Sequence, residues 1–242
     1  MFAGISVAQN KAAEEAGGNF TALKTNDGGE VHAYVAGPTN ASAGVLVVHD
    51  YMGISEAAKR AVEHFAALGY RAVAIDLYGG KSATTREEAV KLVQSLDRKT
   101  TDRNLQAGLH ALKATGRKLA TVGFSMGGIE SLNANLNDPE AVSATVIIYG
   151  FGFDKIENAR LEKLKSPLFV ITGSEDAGAV DAAVNFLPKM KEVKRLCGLF
   201  VYPGVDHGYA QPLFNEGKNY KAEAVRATWV VVDDFLASHL KH

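Results

Sequence analysis

The feature that most constrains this chain is a series of short, uninterrupted apolar runs with helical spacing between most of them. Val45-Leu46-Val47-Val48 is followed by similar runs at residues 72–75, 119–124, 144–148, 168–172 and 199–202. A strand with one wet face alternates apolar and polar side chains, so an unbroken run calls for helices on both faces of the sheet. The intervening segments supply them. Ala58, Val62, Phe65 and Ala66 fall on one face after Ser55, a candidate N-cap, and Gly69 marks a stop. Thr85 and Glu88 have capping-box spacing ahead of Ala89, Leu92, Val93 and Leu96. Leu105, Leu109 and Leu112 keep helical spacing up to Gly116, and Val225, Trp229, Val232, Phe235 and Leu236 form a last apolar stripe. Strands alternating with helices predict an α/β fold with a mostly parallel central sheet. Upstream, Asn26-Asp27-Gly28-Gly29 lies between alternating segments from Phe20 to Ala36, the pattern of an antiparallel hairpin at the sheet edge.

Length and charge bound the rest. A chain of 242 residues without repeats or low-complexity linkers reads as one α/β domain over 19–242, preceded by an N-terminal extension at 1–18. The net charge is −1, from 26 basic and 27 acidic residues with no basic block, which argues against a nucleic-acid partner or an anionic membrane surface. The apolar runs are too short to span a bilayer. Cys197 is the only cysteine and reads as a packed core thiol. The apolar start at residues 1–8 has no basic lead, so a cytoplasmic location is expected, with a periplasmic or secreted one as the alternative if the segment is a trimmed signal. No Cys/His cluster has zinc spacing and no phosphate-binding fingerprint occurs, so neither a metal nor a cofactor is expected.

The chemistry concentrates at Gly123-Phe124-Ser125-Met126-Gly127, a G-x-S-x-G sequence between an apolar run and the helix-like Gly128-Ile129-Glu130. That strand–turn–helix setting presents a serine hydroxyl at the end of a sheet, with a helix N-terminus where an oxyanion would form. A serine hydroxyl needs a base within reach. Of seven histidines, His207 is the best placed, in a loop just past the last strand run, where ligands gather in open α/β sheets; His32, His64, His110, His239 and His242 fall in a hairpin, in helices or at the tail. Asp176, just past the run at 168–172, is the expected carboxylate partner, with Glu175 and Asp181 as rivals. The chain order Ser, Asp, His is that of α/β-hydrolases. Backbone N–H groups of Met126 and Tyr51 are the expected oxyanion donors, the second from the loop after the first central strand.

At these positions the chain resembles the dienelactone hydrolase family. The likeness runs from about Val45 to the C-terminus and rests on Val47-Val48-His49-Asp50-Tyr51-Met52-Gly53, Ala74-Ile75-Asp76-Leu77-Tyr78, the serine motif with Gly128, Gly173-Ser174-Glu175-Asp176 and Pro203-Gly204-Val205-Asp206-His207-Gly208. The resemblance implies a hydrolase without a large cap, acting on small-molecule esters or lactones; a monomer or small homo-oligomer is expected. The short stretch between Tyr149 and Leu168 leaves no room for a cap domain. Three departures stand out. Prototype members carry cysteine at the position of Ser125 and glutamate at that of Asp50, where it contacts the resting thiol. Their two carboxylate-binding arginines are replaced by the segments Gly79-Gly80-Lys81 and Gly208-Tyr209-Ala210-Gln211. Asp50, Lys81 and Tyr209 are therefore the candidate substrate-binding residues, with neutral substrates expected over anionic dienelactones. A thioesterase or acyltransferase using the same residues, and a non-catalytic binding protein on the scaffold, are the competing readings.

Overall fold

The computed structural model describes residues 17–113 and 118–240. The hairpin forms as the alternation requires: β1 (Asn19–Lys24) pairs antiparallel with β2 (Glu30–Ala36) across a turn containing Gly28 at φ 85°. Then come β3 (Ala43–Val48), α1 (Glu56–Ala67), β4 (Arg71–Ile75), α2 (Arg86–Gln94), α3 (Arg98–Lys113), β5 (Lys118–Phe124) and α4 (Met126–Asn137). β6 (Val142–Ile148), α5 (Asn158–Leu161), β7 (Leu168–Gly173), α6 (Ala177–Glu192), β8 (Cys197–Tyr202) and α7 (Ala222–Leu240) complete the described chain. The strands form one sheet in the order β1-β2-β4-β3-β5-β6-β7-β8. β2 also runs antiparallel to β4, and every pair from β4-β3 onward is parallel.

The continuous apolar runs are explained by their two faces. Val45 and Val47 of β3 point with Ala72, Ala74 and Val122 toward Ala61, Val62 and Phe65 of α1 and Val232 and Leu236 of α7. Leu46 and Val48 point the other way, with Val73 and Ile75, toward Leu105, Leu109 and Leu112 of α3. Farther along the sheet, Ile147 and Val170 pack against Leu132 and Leu136 of α4 and Phe186 and Met190 of α6. Fully burying one such side chain stabilises by roughly 1.5–3 kcal/mol, so every residue of these runs contributes.

Local signals fared unevenly. Thr85 and Glu88 form the expected capping box at α2. Ser55 holds the N-cap position of α1 but makes no side-chain cap; its hydroxyl accepts instead from Gln211. Gly116 and residues 1–16 of the N-terminal extension lie outside the described residues, as does His242. Cys197 opens β8 half-buried, with burial pushing its thiol pKa up to about 12. No helix among the described residues is long and apolar enough to cross a membrane.

The parallel register brings the ends of β3, β5 and β6 level, with Val48 opposite Gly123 and Phe124 opposite Ile148. The helix after β5 can fold back only because two positions lack a side chain. A Cβ on Gly123 would lie 1.9 Å from the Gly127 carbonyl oxygen, and one on Gly127 would lie 2.3 Å from that of Val48. All the atoms met are backbone and cannot turn aside. Gly127→Ala should therefore lower unfolding free energy by about 3 kcal/mol or more, the upper range for overpacking. Gly178→Ala, in the exposed first turn of α6, should leave stability unchanged or raise it. Urea unfolding of the two variants checks this.

Candidate active site

Ser125 sits between β5 and α4 at φ 54°, ψ −119°, a backbone conformation that costs a non-glycine residue roughly 1–3 kcal/mol. It is held there from both sides. Its N–H donates to the Ile148 carbonyl at 2.9 Å, and its own carbonyl accepts from Gly128 N–H at 2.9 Å. The turn thus projects the side chain from the sheet edge. Ser125 Oγ lies 2.9 Å from His207 Nε2.

His207 follows β8 in a loop fastened at several points. Asn219 Nδ2 donates to its carbonyl at 2.8 Å, and its N–H donates to Asp206 Oδ1 at 2.6 Å. Its Nδ1 lies 2.6 Å from Asp176 Oδ2. A carboxylate oxygen there accepts, so Nδ1 carries the proton and Nε2 is left to accept from the serine hydroxyl. Asp176 is also the N-cap of α6, where its Oδ1 accepts from Ala179 N–H at 3.1 Å. A helix N-terminus favours negative charge, so one residue both ends the loop and orients the imidazole. The rivals do not share this position: Glu175 is exposed and bonded to Ser174, and Asp181 is exposed on α6. Asp206 meets the backbone of His207, not its ring.

The loop after β3 is organised around two buried groups. His49 Nδ1 donates to the Asp50 carbonyl at 2.6 Å, and Leu77 N–H donates to His49 Nε2 at 3.2 Å. Burial lowers the His49 pKa, in keeping with the neutral ring that this pair of bonds requires. Asp50 Oδ1 accepts from Met52 N–H at 2.8 Å and Oδ2 from Gln211 Nε2 at 2.7 Å. Burial raises the Asp50 pKa, opposed by those two bonds and by the nearby His49 and His207. Asp50 thus fastens the β3 loop to the His207 loop. Its hydrogen-bond partners among the described residues do not include Ser125. The Tyr78 hydroxyl donates to the Tyr51 carbonyl at 3.2 Å and lies 3.4 Å from Met126 Sδ, coupling the β3 loop to the start of α4.

The other expected substrate-binding residues lie elsewhere. Tyr209 is fully buried, its hydroxyl 2.6 Å from Thr228 Oγ1 and its ring against Tyr149, and it has no surface to offer a substrate. Lys81 is exposed, with its carbonyl against Gly53. Sequence reasoning passed over Arg86, the first residue of α2, whose charge opposes the upward pull of burial and Asp50 on the Tyr51 hydroxyl. It also passed over the aromatic surround. Tyr149, Phe151 and Phe214 have ring centroids 5.4, 5.7 and 5.3 Å from that of His207, and Phe151 is 48% exposed. Tyr149 has φ 38°, a second strained side-chain-bearing residue at the same sheet edge. Only their positions just after a strand or the histidine signalled these residues. No cluster of metal-ligating side chains occurs among the described residues.

A serine hydroxyl, an imidazole and a carboxylate in one hydrogen-bonded line are an arrangement that acyl transfer can use. Comparison with known proteins agrees with the chemistry. A protein of Saccharolobus solfataricus whose name makes it a candidate carboxymethylenebutenolidase is 23% identical over 253 residues, covering 87% of this chain and 95% of that one. The protein usf of Aquifex pyrophilus is 28% identical over 198 residues, covering 76% and 83%. Among solved structures, a dienelactone hydrolase-like promiscuous phosphotriesterase from metagenomic libraries superposes with a TM-score of 0.80 at 20% identity, covering 93% of this chain and 99% of that one. At such identity the superposition shows the α/β-hydrolase fold alone. The family model of the dienelactone hydrolase family matches residues 31–240, and the chain belongs to that family.

Proposed function

We propose that Ser125, His207 and Asp176 form the catalytic triad of a hydrolase that cleaves small carboxylic esters and lactones through an acyl-enzyme. The observation that carries this reading is the unbroken line from Ser125 Oγ through the His207 ring to Asp176, starting from a strained turn. Ser125 Oγ attacks the carbonyl carbon while its proton passes to His207 Nε2. The N–H groups of Met126 and Tyr51 receive the developing oxyanion. Collapse breaks the bond to the alcohol oxygen, which takes the proton back from Nε2. Water then repeats the sequence on the acyl-serine, with His207 again first base and then acid, and releases the acid. Asp176 stabilises the imidazolium in both halves.

The aromatic surround favours neutral substrates. Tyr149, Phe151 and Phe214 offer apolar surface beside His207, whereas a carboxylate in such a site calls for a paired cation, best an arginine fork. Lys81 and Arg86 are the cations to exclude. Lys81 is exposed, and the charge of Arg86 is felt at the Tyr51 hydroxyl.

Ser125→Ala should abolish hydrolysis of a panel of short esters and lactones without loss of fold, a drop on the order of 10⁴–10⁶ in kcat. Residual activity above a tenth of the parent level would remove Ser125 from the mechanism. For the carboxylates, Asp176→Asn should cost about 10⁴ in kcat, because the amide can hold the wrong imidazole tautomer. Glu175→Gln should change kcat little, and the reverse ranking would reassign the acid. For substrate charge, kcat/KM for a neutral methyl ester should exceed that for the parent dienelactone carboxylate by about tenfold, or 1.4 kcal/mol of transition-state binding. Preference for the anion, lost in Lys81→Ala or Arg86→Ala, would show that a different cation serves the carboxylate.

A further inference from the structure

A cavity of about 90 Å³ lies between α1 and α7. Ala58, Phe124, Val225 and Trp229 give it apolar walls, and the exposed Arg60 and Tyr220 stand at its mouth. Ser125, Met126 and His207 do not line it, so it is separate from the nucleophile. Its floor carries Asp50 and Tyr149, both buried. No hydrogen-bond partner of the Tyr149 hydroxyl occurs among the described residues, and the oxygen is not one of the fully enclosed unpaired atoms, so it keeps open surface toward the cavity. Both residues line the same cavity, and the charge of Asp50 is felt at the Tyr149 hydroxyl. Asp50 itself has spare capacity: each oxygen accepts one bond, and a carboxylate has about four acceptor sites.

We propose that this cavity binds a short-chain aliphatic alcohol, its hydroxyl bonded to both Asp50 and the Tyr149 hydroxyl and its tail lying between Ala58, Phe124 and Trp229. A hydroxyl is the group that both donates and accepts, which suits a phenol and a carboxyl group side by side in either protonation state of the latter. An alkylammonium ion can only donate and would pass Arg60 at the mouth. A carboxylate would meet Asp50 at the floor. Size sets the tail: an apolar cavity of about 150 Å³ takes benzene, so 90 Å³ suits about three to five non-hydrogen atoms. The Tyr149 ring packs against His207, so an occupant of the cavity sits one ring away from the base. Alcohol is also what ester cleavage releases; that link, unlike the binding, rests on the ester-hydrolase reading.

The test uses 1-propanol as probe, read by saturation-transfer NMR and calorimetric titration on the full chain. Saturable millimolar binding is expected, and it should persist after a fluorophosphonate has modified Ser125. Tyr149→Phe keeps the ring and should weaken binding about fivefold or more, the worth of one hydrogen bond near 1 kcal/mol. Ala58→Leu should abolish it by filling the space. If circular dichroism shows Ala58→Leu unfolded, Tyr149→Phe alone decides. No saturable binding, binding lost on Ser125 modification, equal binding in Tyr149→Phe, or tighter binding of propylammonium or propionate would each overturn the assignment. Failure of Ser125 to react would count against the hydrolase reading alone, since the Tyr149→Phe comparison does not require it.

Discussion

The close approach of backbone to backbone at the start of α4 is the constraint on which the site depends. Gly123 and Gly127 let the helix turn back within van der Waals distance of β3, and that turn holds Ser125 at φ 54°. The strain is offset by a sheet whose strands are buried on both faces and whose register aligns β3, β5 and β6. A looser sheet would let the turn relax and withdraw the hydroxyl from His207. The large apolar core and the small polar site are therefore one mechanical system.

Three loops meet at that edge, and each is held by a residue with two tasks. Asp176 caps α6 and orients His207. Asp50 fixes the Met52 N–H and, through Gln211, the segment after His207. His49, neutral and buried, ties the end of β3 to Leu77 after β4. Double use of this kind places side chains without ordering additional residues, whose conformational entropy would oppose folding. The Asp50 carboxylate is thereby engaged by backbone and amide donors, and its hydrogen-bond partners among the described residues do not include Ser125.

What was legible in the sequence follows from the range of each interaction. Continuous apolar runs, the capping box at Thr85 and the glycine spacing around Ser125 are local patterns set by strand, helix and turn geometry, and the structure carries all three. Between Asp176 and its rival Glu175 spacing alone did not choose; folding turns Asp176 to the His207 ring and leaves Glu175 exposed. Long-range pairings left no such trace. Ser55 fits a helix cap by spacing, yet its hydroxyl answers to Gln211, 156 positions away. Tyr209 follows the histidine closely and suggested substrate contact, but the loop turns at Gly208, φ 70°, and sends it into the core against Thr228. Phe151 and Phe214 are marked only by following a strand and the histidine, and nothing in the spacing marks Arg86.

The most direct test of the central claim is to trap the covalent intermediate. Protein acid-quenched during turnover of an activated acetate ester, then digested and sequenced by mass spectrometry, should carry one acetyl group on the peptide containing Ser125. The label should be absent from His207→Ala under the same conditions. Acetyl on another residue, or steady turnover with no acyl-protein in a quench faster than deacylation, would contradict the account.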